Sequence, residues 1–296
     1  MLQLIERSQL AVTLESTSNY MTDKEIDLFL LNALNEDMPE GDITTDNIID
    51  PNEQSYAEFI AKENGVISGI NYCKRTFELI GKEVDFKIYK QDGEKVVKGD
   101  LIATVKGNTR TILKGERTSL NLLQYMSGIA TTTNNYLSYM SGKTELLDTR
   151  KTTPGMRFFA KKAVKDGGGT NHRYGLSDMV LIKDNHIKAA GSITKAVEMV
   201  YGKVNCKIEV ETETREQFLE ALKTKCDIIM LDNMDNELMS KCVKINNGLK
   251  KLEASGNMTF ERLDSVCKTG VDYISVGALT HSLKALDISL KFKDEK

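Results

Sequence analysis

The chain has 296 residues, 40% of them hydrophobic and 28% charged, a composition that supports one large domain or two ordinary ones, each with a true core. Its net charge of −3 excludes a general electrostatic attraction to nucleic acid or anionic membranes, and no apolar run approaches the roughly 20 residues of a membrane helix. The five cysteines are odd in number and contain no C-x-x-C pair, which points to reduced thiols in a cytoplasmic protein rather than to a disulfide framework or a zinc site.

Residues 1–20 lack the basic start and apolar block of a secretory signal. They are read as a poorly ordered extension, a start at Met21 being equally natural. Thr22 to Leu34 is predicted as an amphipathic helix, with Thr22 and Glu25 at capping-box spacing and Ile26, Phe29, Leu30, Ala33 and Leu34 on one face. The runs YAEFIA, GVISGI, VDFKIY and LIATV, separated by turn signals such as QDGEK and VKGD, predict short strands. A helix over Cys73–Ile80 interrupts them, and a long helix over Lys114–Tyr139 follows.

The second half has a different rhythm. The apolar runs ELLD, MVLIK, KIEVE, DIIMLD, KLEAS and DYISVG alternate with the helical segments FFAKKAVKD, ITKAVEMVYG, TREQFLEALKTK, ELMSKCVKIN and FERLDSVC. Such alternation predicts βαβ units and a parallel sheet. The segment falls short of the ~250 residues of a full eight-fold barrel, so the fold class expected is α/β with an incomplete barrel. A doubly wound sheet is the alternative, disfavoured because no glycine fingerprint follows the first strand.

Each run stops on a polar residue or glycine: Asp148 with Arg150, Lys183, Glu211, Asp232, Ser255 and Gly277. Chemistry in such folds gathers at the C-terminal ends of strands. Arg150, Lys151, His172, Arg173 and Lys183 are cationic or become so, and suit a polyanionic ligand. Glu211 and Asp232 suit a divalent ion such as Mg²⁺, held largely through water or substrate phosphate. Ser255, Gly256 and Gly277 are small enough for backbone N–H groups to approach a phosphate. Taken singly, each has a plainer reading: Lys151 as a surface charge, Lys183 as a Schiff-base lysine, Asp232 as a helix cap, His172 as a structural histidine. The three glycines before Thr170 read as a ligand-approaching loop that aims His172 and Arg173, or as no more than a helix C-cap. No P-loop, H-E-x-x-H helix or serine-hydrolase elbow is present.

The ordered segments EDMPEGDITT, GERTSLNLLQYMSGIAT, DTRKTTPGMR, GGGTNHR, LIKDNHI, IEVE, LDN, EASG and ISVGALTH closely resemble the quinolinate phosphoribosyltransferase family, also called carboxylating nicotinate-nucleotide pyrophosphorylases. The resemblance runs from about Asp23 to His281. It implies an N-terminal α/β sandwich over residues 21–122, an incomplete (β/α) barrel with parallel strands over 123–281, and a C-terminal helix over 282–296 expected to pack on the N-terminal domain. It also implies transfer of phosphoribosyl from phosphoribosyl pyrophosphate to quinolinate with Mg²⁺, releasing pyrophosphate and CO₂, in a homodimer or larger assembly of dimers.

By resemblance, Arg150, His172 and Arg173 hold the quinolinate carboxylates, with Arg117 donated across the dimer interface. Lys151 and Lys183 lie near phosphates and carboxylates. Glu211 and Asp232 face the ribose and Mg²⁺-pyrophosphate, and Lys151, Glu211 and Asp232 are the catalytic candidates. Ser255, Gly256 and Gly277 cradle the 5′-phosphate. One departure stands out: after EASG the family usually has a second glycine, where this chain has Asn257. Competing readings are a related transferase acting on nicotinate, a relative without catalysis, and a biotinyl- or lipoyl-type carrier suggested by GEKVVKGDLIATVKG. The carrier reading lacks a modifiable lysine beside a methionine or small residue at a turn.

Overall fold

The computed structural model describes residues 20–81 and 84–293. The expected extension over residues 1–20 lies outside them, apart from Tyr20. The chain divides into two compact units: among the described residues, one takes in 139–150 and 171–276, and the other takes in 151–170, 277–293 and everything before 139.

The second of these units begins with α1 (Asp23–Asp37), whose entry is fixed by the predicted capping box: the Thr22 hydroxyl accepts from Glu25 N, and the Glu25 carboxylate accepts from Thr22 N at 2.7 Å. Then come α2 (Thr45–Ile48), β1 (Gln54–Ala61), β2 (Gly65–Val66) and α3 (Ile70–Ile80). Helix α3 starts three residues before its predicted place and absorbs the end of GVISGI. Gly69 adopts φ +94°, and the carboxylate of distant Asp92 accepts from both Gly69 N (2.7 Å) and Ile70 N (3.0 Å). That cap comes from more than twenty residues away, so local sequence could not announce it. Next are β3 (Val84–Ile88), β4 (Lys95–Val96), β5 (Leu101–Asn108) and the 30-residue α4 (Thr109–Ser138).

The chain continues through β6 (Glu145–Leu147), α5 (Arg157–Asp166), β7 (Val180–Ile182), α6 (Asp184–Ala190), α7 (Ile193–Val200), β8 (Ile208–Thr212), α8 (Arg215–Leu222), β9 (Ile228–Asp232), α9 (Asn236–Asn246), β10 (Lys251–Ser255), α10 (Phe260–Cys267), β11 (Tyr273–Ser275) and α11 (Ala278–His281). Six of these strands form a parallel sheet in the order β6-β11-β10-β9-β8-β7. The sheet stays open at β6 and β7, as an incomplete barrel requires.

Residues 282–293 of the expected C-terminal helix are not helical, and 294–296 lie outside the described residues. Instead β12 (Ile288–Lys293) adds to the antiparallel sheet β12-β1-β5-β3, pairing Phe59 with Leu290 and Ala61 with Ile288. The cause is a two-residue period: Ile288 and Leu290 are buried while Ser289 between them is less so. This sheet, α3 and α4 share one core, in which Phe59, Phe77, Phe86, Ile112 and Leu123 meet Leu286 and Ile288.

The triple glycine has a packing role in the same unit. Gly167 N bonds Ala163 O as α5 ends, and Gly168 turns through φ +96°. A Cβ on Gly167 would lie 2.4 Å from Ala130 O of α4, and one on Gly169 would lie 2.9 Å from Thr133 Cγ2. These glycines stop α5 and let its end rest on α4. This is the plainer of the two readings of the run.

Candidate active site

Strand register puts the predicted residues on one face. Leu181 of β7 pairs with Glu209 of β8, Glu211 pairs with Met230 of β9, and Asp232 pairs with Ser255 of β10. Counting by twos along each strand, Lys183, Glu211, Asp232 and Ser255 share a face at the C-terminal ends of four adjacent strands. Leu181, Glu209, Met230 and Glu253 lie one layer deeper on that face.

Lys183 Nζ is 3.7 Å from Glu211 Oε2, with the lysine half exposed and the glutamate mostly covered. Burial raises the Glu211 carboxyl above the usual range, Lys183 opposes the rise, and Asp232 adds to it. Carboxylate oxygens of Glu211, Glu213 and Asp232 lie within 4.8 Å of one another. An all-oxygen donor set fits a hard cation that keeps much of its water, such as Mg²⁺. Asn233 Nδ2 donates to Asp232 Oδ2 at 2.8 Å and fixes that carboxylate.

Arg150 follows β6, and Arg173 is buried, donating from Nη1 to Met179 O at 3.2 Å. Burial and then the charge of Arg150 lower the Arg173 pKa. Two guanidinium groups that disfavour each other are a standing attraction for an anion. His172 is surrounded by carboxylates that were not among the predicted site residues: Asp148, named only as a strand end, and Glu209 and Glu253, not singled out at all. Asp148 is fully buried and accepts from Asn171 Nδ2 (2.6 Å) and His172 N (2.9 Å). His172 Nε2 lies 3.0 Å from Glu209 Oε2 and 3.2 Å from Glu253 Oε2.

Burial disfavours a charged His172 ring, while Glu253 and Glu209 favour it and push the imidazole upward. Geometry limits where that charge can sit, because Arg173 N donates to Nδ1 at 2.8 Å and Nδ1 must then carry its lone pair. The ring is therefore the Nε2–H tautomer. Burial and then Glu253 also raise the Glu209 carboxyl, while His172 lowers it. A signal for these groups did exist. Glu209 and Glu253 interrupt apolar strand runs, two residues before Glu211 and Ser255.

The phosphate-loop candidates form a braced turn. Asn233, Gly256 and Asn257 have φ of +54°, +88° and +51°. Asn233 N donates to Ser255 O at 2.9 Å. Arg262, another residue missed in the sequence, donates to Gly256 O (3.0 Å) and Met234 O (2.6 Å). Asn257 thus occupies a left-handed position that asparagine tolerates better than most residues.

Arg117, Lys151 and Gly277 belong to the other unit. There Lys151 and Gly277 are neighbours: Thr280 Oγ1 donates to Lys151 O at 2.7 Å, and a Cβ on Gly277 would lie 3.0 Å from Lys151 Cδ. Exposed Arg117 lines an open cleft of about 400 Å³ with Phe29, Asp37, Asn121, Tyr125 and Met156.

Residues 42–127 match the N-terminal domain of quinolinate phosphoribosyl transferase, and residues 129–291 match its C-terminal domain. The chain is 44% identical over 259 residues to the "probable nicotinate-nucleotide pyrophosphorylase [carboxylating]" of Bacillus subtilis, covering 86% of this chain and 89% of that one. It is also 44% identical over 284 residues to a mitochondrial "quinolinate phosphoribosyltransferase [decarboxylating]" of Nicotiana tabacum, covering 89% and 81%. Among solved structures, the nicotinate-nucleotide pyrophosphorylase of Francisella tularensis superposes with a TM-score of 0.90 at 38% identity, over 94% of this chain and 99% of the other. With both domain matches in register along the chain, and with the strand-end residues arranged on one face of the parallel sheet, this protein belongs to the quinolinate phosphoribosyltransferase family.

Proposed function

We propose that this chain is a pentosyltransferase that joins quinolinate to phosphoribosyl pyrophosphate, giving nicotinate mononucleotide, pyrophosphate and CO₂, as a step of NAD biosynthesis. The observation that carries the reading is the single strand-end face on which Lys183, Glu211, Asp232 and Ser255 stand together, in a chain of this family. Arg150 and Arg173, with Arg117 from a second subunit, bind the two carboxylates. His172 supports that pocket. Lys151 and Lys183 serve phosphate and carboxylate groups. Ser255, Gly256 and Gly277 take the 5′-phosphate.

The pyridine nitrogen forms a bond to ribose C1 as the bond from C1 to pyrophosphate oxygen breaks, its electron pair leaving with the oxygen. Fixed cations hold quinolinate in line for this displacement, and positioning supplies much of the rate. They need no reorganisation as charge moves. The C2–carboxylate bond then breaks, leaving an electron pair on C2 beside the positively charged ring nitrogen, and C2 takes a proton from water as CO₂ departs. Glu211 and Asp232 would hold Mg²⁺ through water or pyrophosphate, and the ion when bound would supply charge stabilisation at the leaving group.

Arg117 is exposed on its cleft, which suits donation to a partner in a homodimer or a larger assembly of dimers. Arg117→Ala and Arg150→Ala homodimers should each be nearly inactive, and mixing them should restore activity at one site per mixed dimer. No recovery, with subunit exchange verified, would refute the shared site. A cytoplasmic location completes the proposal. The five cysteines are free thiols, in keeping with a reducing compartment. Cell fractionation tests it, since the tobacco relative is mitochondrial by name.

A further inference from the structure

Below the strand-end layer lie two carboxylates with no assigned task. Glu209 and Glu253 are fully buried. Oε2 of each lies close to His172 Nε2, at 3.0 Å for Glu209 and 3.2 Å for Glu253, a charge contact without hydrogen-bond alignment, since among the described residues none of the four carboxylate oxygens has a hydrogen-bond partner. Each sits two residues before a strand-end residue, roughly 6–7 Å deeper along its strand. They stand under the site rather than in it. Burying two acids this way is costly unless something holds them, and the group between them is one imidazole.

That imidazole links outward. Its Nδ1 accepts the Arg173 N–H at 2.8 Å, while its own main-chain N–H is held by Asp148 at 2.9 Å. Both ring nitrogens are thereby engaged, one by the deep carboxylates and one by the main chain of the buried arginine. A metal ion on His172, Glu209 and Glu253, whose ligand atoms do lie within 4.8 Å, fails on the ring's chemistry. Metal-bound imidazole donates its other N–H to a partner. Here Nδ1 accepts instead, so a metal on Nε2 would leave the ring with no proton at all.

We propose that Glu209 and Glu253 are positioning residues for the carboxylate clamp: acting through His172, they fix the main chain at Arg173 and so set where its guanidinium stands. The inference rests on the reading of the site as a quinolinate pocket. The strut joins β8 and β10 to the segment carrying Arg173. It belongs to the carboxylate side of the site, so it discriminates between the two substrates.

The test compares Glu253→Ala with Glu253→Gln in the full chain. Glutamine keeps a polar oxygen facing Nε2–H, and alanine leaves nothing. Glu253→Ala should raise the quinolinate KM by about ten- to a hundredfold, the scale of an ångström-sized misplacement. Its KM for phosphoribosyl pyrophosphate should stay within about twofold, and Glu253→Gln should bring the quinolinate value back to within about threefold of the unaltered chain. Equal rises in both KM values, or alanine and glutamine variants that behave alike, overturn the inference.

A second measurement needs no change at the strut. The chain has three histidines, so ¹⁵N-histidine NMR, assigned with His186→Asn and His281→Asn, reads His172 directly. An Nε2–H ring that keeps its tautomer across neutral pH is expected, and an Nδ1–H or doubly protonated ring contradicts the strut. Unaltered protein that ignores quinolinate would fail the functional reading. Unaltered protein that turns it over, with no alanine–glutamine difference, would fail this inference alone.

Discussion

Gly256→Ala probes the loop that the account assigns to the 5′-phosphate. Gly256 has φ +88°, and an added Cβ would stand 2.1 Å from Asn233 Oδ1, 2.7 Å from its Cγ and 3.1 Å from its backbone N. A left-handed L-residue costs about 1–2 kcal/mol. The contact adds to this, because Asn233 is tied on two sides: its side chain donates to Asp232 Oδ2 at 2.8 Å and its backbone N to Ser255 O at 2.9 Å. Swinging the side chain away gives up a bond worth about 1 kcal/mol, and the backbone contact remains tight. The total is about 2–4 kcal/mol, which corresponds to a Tm drop of roughly 5–15 °C for a chain of this size.

Gly142→Ala is the control, since Gly142 has φ +76° and an added Cβ would meet nothing within 4 Å. That substitution carries the strain alone, about 1–2 kcal/mol. Thermal unfolding of both variants separates strain from contact, and kinetics separates the substrates. The KM for phosphoribosyl pyrophosphate should rise in Gly256→Ala, with quinolinate little affected. A Gly256→Ala protein no less stable than Gly142→Ala would refute the packing argument, and an unchanged KM for phosphoribosyl pyrophosphate would refute the phosphate role.

Asn257→Gly should change stability by no more than about 0.5 kcal/mol and leave both KM values in place, because asparagine already accepts φ +51°; a large gain in affinity for phosphoribosyl pyrophosphate would mark Asn257 as a handicap. Gly167→Ala meets Ala130 O at 2.4 Å with an ordinary φ of −75°, so the cost is overpacking alone, about 1–3 kcal/mol. A changed quinolinate KM at unchanged Tm would return the glycine run to the ligand. Burial raises the Glu211 carboxyl, so protons compete with a cation for its oxygens at higher pH than at an ordinary carboxylate. The Mg²⁺ concentration for half-maximal activity should therefore rise as pH falls, and the dependence should flatten in Glu211→Gln; a requirement that is flat in the unaltered chain contradicts this.

Local chemistry made much of the fold legible. The capping box at Thr22 and Glu25 formed as spaced, and the six parallel strands lie within a residue or two of their apolar runs. What escaped depended on distant partners. The start of α3 is set by Asp92, and the two-residue period of β12 is too short to be decisive until β1 pairs with it. Strand periodicity also explains the site. Lys183, Glu211, Asp232 and Ser255 could be picked out because polar residues ended apolar runs. Glu209 and Glu253 were passed over because they sit inside those runs, where only the pairing with His172 shows their use. The proposed role of Arg117 came from resemblance alone, since nothing in a single chain marks a residue as meant for its partner.

The most direct test of the central claim is a product assay with phosphoribosyl pyrophosphate, Mg²⁺ and either quinolinate or nicotinate, following nucleotide and CO₂ together. The account predicts nicotinate mononucleotide and an equal amount of CO₂ from quinolinate, and no product from nicotinate. Nucleotide formed from nicotinate alone, or no nucleotide from either acid by folded protein, would contradict it.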